Sequence, residues 1–336
     1  TNDNREAVTE TQESLNRKLL QCYNQMKHLT PGTMTEEKEE EELYDIFHRI
    51  ANLRAAFGEH EAARDLYLAV VSHQREMQGD NSLVVADLLF NLGTVYSCLE
   101  DMDNAFDCHE ECQLISEAII GKDSPQLVEN MQALGEISMS QEEYDDALHW
   151  FSSAERVLRQ KEEGLSKADE STVAVIVFKK GKCLQALGHG DNATQCFKTA
   201  LDLFKRVGDL ERVEVSDMMN ALGNAAKVSG DLDKAMILYR QSLHLRNTLG
   251  DELSVANTKN NIGAVFHARG DMSQAMKFFS ESLESKTMLL GVDHPETARS
   301  LANVGQIFLD NNDFLKARRC FMEGKSNKCS LFCWPP

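Results

Sequence analysis

The apolar positions of this chain follow the 3.6-residue period of α-helices, and the pattern itself returns along the chain. A small residue recurs at Ala51, Gly93, Gly135, Gly181, Gly223, Gly263 and Gly305, at spacings of 42, 42, 46, 42, 40 and 42. Twelve residues after each of these anchors stands alanine: Ala63, Ala105, Ala147, Ala193, Ala235, Ala275 and Ala317. Sixteen after each stands Tyr67, His109, Phe151, Phe197, Tyr239, Phe279 or Phe321, aromatic in six of the seven if histidine is set aside. Agreement at three separate offsets over seven repeats is very hard to produce by chance.

The spacing predicts two packed helices per repeat. The anchor lies midway along the first helix, where only Gly or Ala lets its partner approach. The alanine lies early in the second helix, and the aromatic one turn further fills the space between repeats. Turns are expected at Gly188-His189-Gly190-Asp191, Gly230-Asp231 and Gly270-Asp271. Second helices should end near Gly79, Gly121, Gly208, Gly250 and Gly291 in left-handed caps. Pro125 and Pro295, each ten residues before an anchor, fit the first turn of a helix. One run, Thr172 to Phe178 (TVAVIVF), reads locally as a strand. The repeat register makes it helical, and the four extra residues of that repeat fall in a longer loop near Lys161 to Asp169.

The repeats divide the chain into residues 1–42, 43–325 and 326–336. Glu6 to Leu29 reads as an amphipathic capping helix with Leu15, Leu19, Cys22, Tyr23 and Met26 on one side. Thr30 to Glu42 reads as an exposed acidic linker, and Lys325 to Pro336 as a short irregular tail. No polar cap follows the seventh repeat, so its apolar side, with Phe314 and Phe321, is expected to be incompletely covered and to favour self-association at that end. The first residue is not Met, which suggests processing or a longer parent chain.

Charge and cysteine content narrow the partners. Fifty-four acidic against 35 basic residues give a formal net charge of −19. Such a chain repels phosphate backbones and anionic membrane surfaces. No apolar run is long enough to span a bilayer, and the first residues do not resemble a signal peptide. Nine cysteines without a Cys-x-x-Cys pair suggest reduced thiols in the cytoplasm. Cys108, His109 and Cys112 have the spacing of a partial metal site. Their slots are those of Leu66, Tyr67 and Val70, and Cys196 and Cys320 repeat the slot of Cys108, so packing explains them and no metal or cofactor is expected. Cys329 and Cys333, in the tail, have no core to fix them. Asn192-Ala193-Thr194 matches a glycosylation sequon, but its alanine belongs to the core series. No phosphate loop, nucleophile elbow or paired catalytic carboxylates interrupt the repeats, so no enzyme activity is expected.

The anchor, alanine and aromatic series resembles the tetratricopeptide repeat family over roughly residues 43–325. The 42-residue period and the junction Leu290-Gly291-Val292-Asp293-His294-Pro295 are similar to kinesin light chain repeats, with Ile120-Gly121-Lys122-Asp123-Ser124-Pro125 as a weaker copy. The fifth and sixth repeats, with their Gly-Asp turns, look more like those of cell-polarity adaptors. The resemblance implies an all-α, right-handed superhelical solenoid of about seven helical hairpins, whose first helices line a concave groove that takes a peptide.

Groove positions are then six and three before each anchor and one and four after it, which share a helix face. In the second and third repeats they include Asp87, Glu129 and Glu136. From the fourth on they include Lys182, Asn220, Asn224, Lys227, Asn257, Asn260, His267, Arg299 and Gln306. Amides there can bond a peptide backbone, and the cations point to an acidic peptide, with Asp217 as an opposing charge. A chaperone-tail clamp fits poorly: Asn224, Arg299 and Asn303 lie at or near its places, but Asn220 stands where it needs lysine. The leading function is a protein-binding scaffold or adaptor. The alternatives are a self-associating structural module and the regulatory array of a larger enzyme or sensor.

Overall fold

The structure, a computed structural model, describes residues 36–161 and 164–326. The expected capping helix and the tail lie outside the described residues. Those described form fourteen α-helices, one 3-10 turn and no strand. They pair in sequence as seven hairpins: α1 (Glu36–Ala56) with α2 (His60–Gln78), α3 (Leu83–Cys98) with α4 (Met102–Ile120), α5 (Val128–Ser140) with α6 (Tyr144–Arg159), α7 (Lys167–Ala186) with α8 (Gly190–Val207), α9 (Val213–Val228) with α10 (Leu232–Leu249), α11 (Glu252–Ala268) with α12 (Met272–Leu290), and α13 (Pro295–Asp310) with α14 (Phe314–Ser326). The chain divides into two compact units, Thr1–Leu165 with the first three hairpins and Ser166–Pro336 with the last four.

Each anchor does what its size allows. A Cβ on Gly93, Gly135, Gly181 or Gly223 would stand 2.7 Å from the ring of His109, Phe151, Phe197 or Tyr239. The ring sixteen residues on therefore lies flat against its own hairpin's anchor. Its other side meets the next hairpin, as the spacing suggested: Tyr239 clusters with Ile262 and Val265, and Phe279 with Val304 and Ile307. The seven alanines are at most 2% exposed and hold the two helices close.

Seven residues past each anchor the chain turns with positive φ, at Gly58, Glu100, Glu142, Gly188, Gly230, Gly270 and Asn312. The second helices end with positive φ as expected, but in two forms. Gly208 and Gly250 are left-handed, whereas Gly79, Gly121 and Gly291 combine φ of 81–86° with ψ of 149–168°, a region only glycine enters readily.

Two other local readings change. The acidic run expected as linker is helical from Glu36, because glutamate is a good helix former and favours a helix N-terminus. The β-branched run sits inside α7, where Val173, Ile176 and Val177 are buried, so packing overrides propensity. Ser166 and Asp169 close that helix's N-terminus as a capping box, so the end of the expected loop, from Lys167 to Asp169, is helical instead. Pro125 opens the 3-10 turn before α5, and Pro295 begins α13.

Successive hairpins join through the second helix of one and the first helix of the next: α2 on α3 and α4 on α5 in the first unit, α8 on α9, α10 on α11 and α12 on α13 in the second. The joint of the first two hairpins is apolar, with Leu66, Val70 and Val71 of α2 against Leu88, Leu92 and Val95 of α3.

Candidate functional site

In the second unit the first helices of neighbouring hairpins are linked side to side by polar groups. Asn261 of α11 donates to Asn220 Oδ1 of α9 at 2.9 Å, and Asn303 of α13 donates to Asn260 Oδ1 of α11 at 2.7 Å. Asn224 Oδ1 accepts from the Tyr239 hydroxyl at 2.7 Å. Each of these bonds uses the amide oxygen of a residue expected in the groove, and so turns that amide with its Nδ2 as the remaining donor. All three asparagines are half-buried. Asn257 differs: its Oδ1 is buried and has no hydrogen-bond partner among the described residues.

The cations separate into two groups. Arg299 donates to Glu296 Oε2 at 2.7 Å, and the same oxygen accepts from Lys286 Nζ of α12 at 2.8 Å. Burial raises the Glu296 carboxyl, but the bonds from Lys286 and Arg299 outweigh it and hold it below its usual range. His267 is bonded to Asp310 Oδ2, whose other oxygen accepts from Gln306 Nε2 at 2.9 Å. Arg299, His267 and Gln306 are thus engaged within the protein. Lys182 is exposed and lies over the Phe178 ring, 5.7 Å from its centroid. Lys227 is half-buried without an ion-pair partner among the described residues, and burial lowers its pKa.

Asp217, the opposing charge at this face, is neutralised. It accepts at 2.5 Å from Arg246 of α10, a guanidinium 5% exposed. Arg246 also donates to the Ser254 carbonyl at 2.9 Å and to Thr258 Oγ1 at 2.7 Å, both on α11, so it ties the fifth hairpin to the sixth. Lys286, fully buried, holds the same place in the next hairpin, 23 residues past the anchor. Sequence periodicity gave no weight to those two cations, although charge in a slot that holds Gln74, Ser116, Leu158 and Phe204 in the first four repeats was a visible signal. The bond to Asn224 had one too. Tyrosine occupies the aromatic slot only in the first and fifth repeats, and only there is the residue after the anchor asparagine. Tyr67 accordingly bonds Asn52.

In the first unit Asp87, Glu129 and Glu136 are exposed on the first helices, so that unit offers an acidic surface at the equivalent positions. Cys108, His109 and Cys112 are core groups. Burial pushes the two thiols up to about 12 and about 11, which keeps them protonated in the core. His109 Nδ1 lies 2.8 Å from Asn130 Oδ1, and Asn130 Nδ2 donates to the His109 carbonyl and to Gln113 Oε1, both at 2.9 Å.

A family model described as tetratricopeptide repeat matches residues 42–112, 85–160 and 254–326. No curated protein matches the chain in sequence. Among solved structures, BtubC (BKLC) from P. vanneervenii is 19% identical, with a TM-score of 0.54 over 71% of this chain and 93% of that one. Aspartyl phosphate phosphatase F from Bacillus subtilis is 14% identical, with a TM-score of 0.57 over 88% of this chain and 73% of its own. A signal transduction ATPase with a tetratricopeptide repeat sensor from Pyrococcus horikoshii is 13% identical, with a TM-score of 0.64 over 87% of this chain and 42% of its own. At these identities the likeness is one of fold. Among the described residues no helix is long and apolar enough to cross a membrane.

Proposed function

Because the chain belongs to the tetratricopeptide repeat family, we propose that it is a non-catalytic scaffold that holds an acidic peptide segment of a partner protein on the first helices of hairpins five to seven. The observation that carries this reading is Lys227. A lysine that loses water without gaining a carboxylate is costly for the fold alone, and an incoming anion would offset that cost. Around it, the Nδ2 groups of Asn220, Asn224 and Asn260 are held by neighbouring bonds as donors for a backbone carbonyl or a carboxylate. The buried free thiols Cys108, Cys112 and Cys183 suit a reducing compartment, which supports a cytoplasmic setting.

The test uses labelled peptides of equal length, acidic, neutral or basic, titrated by fluorescence anisotropy. Acidic peptides should bind tightest, and binding should weaken as salt rises. Lys227→Glu should abolish the preference. Lys227 is the cleaner probe than Arg299, whose replacement would also disturb Glu296 and the buried Lys286. Asn260→Ala should weaken all peptides alike. If Lys227→Glu binds acidic peptides as the wild type does, the face is wrongly assigned.

A second reading, self-association through the seventh hairpin, has its own observation. The tenth residue past each anchor is Glu61, Asp103, Asp145, Asp191, Asp233 and Ser273 in six hairpins, and Leu315 in the last. Leu315 is 82% exposed, with Phe314 and Met322 beside it on α14 at 64% and 58%. Sedimentation over a concentration series, comparing Leu315→Asp with wild type, separates a dimer from a monomer.

A further inference from the structure

The first hairpin carries an apolar stripe that no described residue covers. Ile46, Ile50 and Leu53 follow one another at helical spacing on α1, with Phe57 just past its end, and are 41%, 36%, 58% and 81% exposed. The protein's own repeats show what such a stripe is for. Counted from the anchor, Ile46, Ile50 and Leu53 stand at −5, −1 and +2. In the second hairpin those positions are Leu88, Leu92 and Val95, 1–2% exposed on α3, which packs against α2. In the sixth they are Thr258, Ile262 and Val265, 0–1% exposed on α11, which packs against α10. In each case the cover is the second helix of the hairpin before.

The chain carries a candidate cover directly upstream. Residues 6–29 have apolar groups at Leu15, Leu19, Tyr23 and Met26, a stripe at helical spacing of the same kind. Only Thr30 to Thr35, which include Pro31-Gly32, separate them from α1, a length common between antiparallel helices. Charge agrees with that direction. An antiparallel helix would bring Lys27 beside the acidic start of α1, Glu36 to Glu42, and Glu6 and Glu10 toward the end that carries Arg54. We propose that residues 6–29 dock on α1 as an antiparallel helix, in the place that a preceding hairpin's second helix would hold. The partner surface of the first hairpin is then filled from within the chain.

Hydrogen exchange on the full chain tests this. In a Leu19→Asp/Tyr23→Asp variant, amides of residues 46–57 should exchange roughly tenfold faster or more than in wild type, with hairpins five to seven unchanged. The reciprocal variant Ile50→Asp/Leu53→Asp alters exposed positions that leave the hairpin folded, and should speed exchange in residues 15–26. Equal rates at 46–57 in wild type and the first variant would overturn the proposal. So would protection of that stretch that vanishes on dilution, since a second copy would then be the cover.

Discussion

At the scale of the single residue, the repeat consensus is a poor guide wherever a neighbour has adapted to the exception. His109 stands where every other repeat has Phe or Tyr, so His109→Phe would conform to the series. It should nevertheless destabilise the protein by about 1–3 kcal/mol, because the buried Asn130 Oδ1 loses its partner. Adding Asn130→Leu, the residue type of Leu88 in the equivalent slot, should recover most of the loss in chemical denaturation. The histidine also links stability to pH. Burial lowers its pKa in the fold, against the raising effect of the Asn130 bond. The folded state therefore binds fewer protons than the unfolded one, and its contribution is lost as pH falls from about 6.5 toward the lowered value. His109→Phe/Asn130→Leu should flatten that slope. The turns give the opposite case. Glu100 and Glu142 adopt positive φ where four other hairpins have glycine. Glu100→Gly and Glu142→Gly should each stabilise by about 0.5–1 kcal/mol, since relief of the left-handed strain exceeds the entropy that glycine adds to the unfolded chain. Asn312→Gly should gain less, as asparagine tolerates that region.

At the scale of the element, the sequence was most legible where one residue's size decides the packing. The anchors and alanines mark where helices touch, and both helices of every hairpin are found around them. Ala235 is fully buried between α9 and α10, so Ala235→Leu should cost about 1–3 kcal/mol of unfolding free energy, whereas Glu252→Leu, at the exposed first residue of α11, should cost little. Thermal melts followed by circular dichroism compare the two. Legibility fell where structure depends on a partner distant in sequence. Nothing near Arg246 indicates that its guanidinium meets Asp217, 29 residues earlier, or that Asn220 meets Asn261. The repeat register places such residues on a face, but it does not say which of them are spent on each other. Of the groove candidates, this left Lys182 and Lys227 without a carboxylate among the described residues, while Arg299 and His267 each have one.

At the scale of the whole molecule, the two units are built alike but joined differently within themselves. The first two hairpins meet through aliphatic side chains beside a part-exposed Arg75–Glu111 pair, whereas the fifth and sixth add to their apolar contact a buried guanidinium bonded to both. That difference makes the joints unequal thermometers. Apolar attraction gains little more on heating once warm, whereas the desolvation penalty of a buried ion keeps falling as temperature rises. Between about 10 and about 50 °C, exchange of α3 amides should therefore accelerate more steeply than that of α11 amides. Heat would then loosen the first of these joints sooner than the second, and the fifth hairpin, which carries Lys227, would keep its alignment with the sixth for longer.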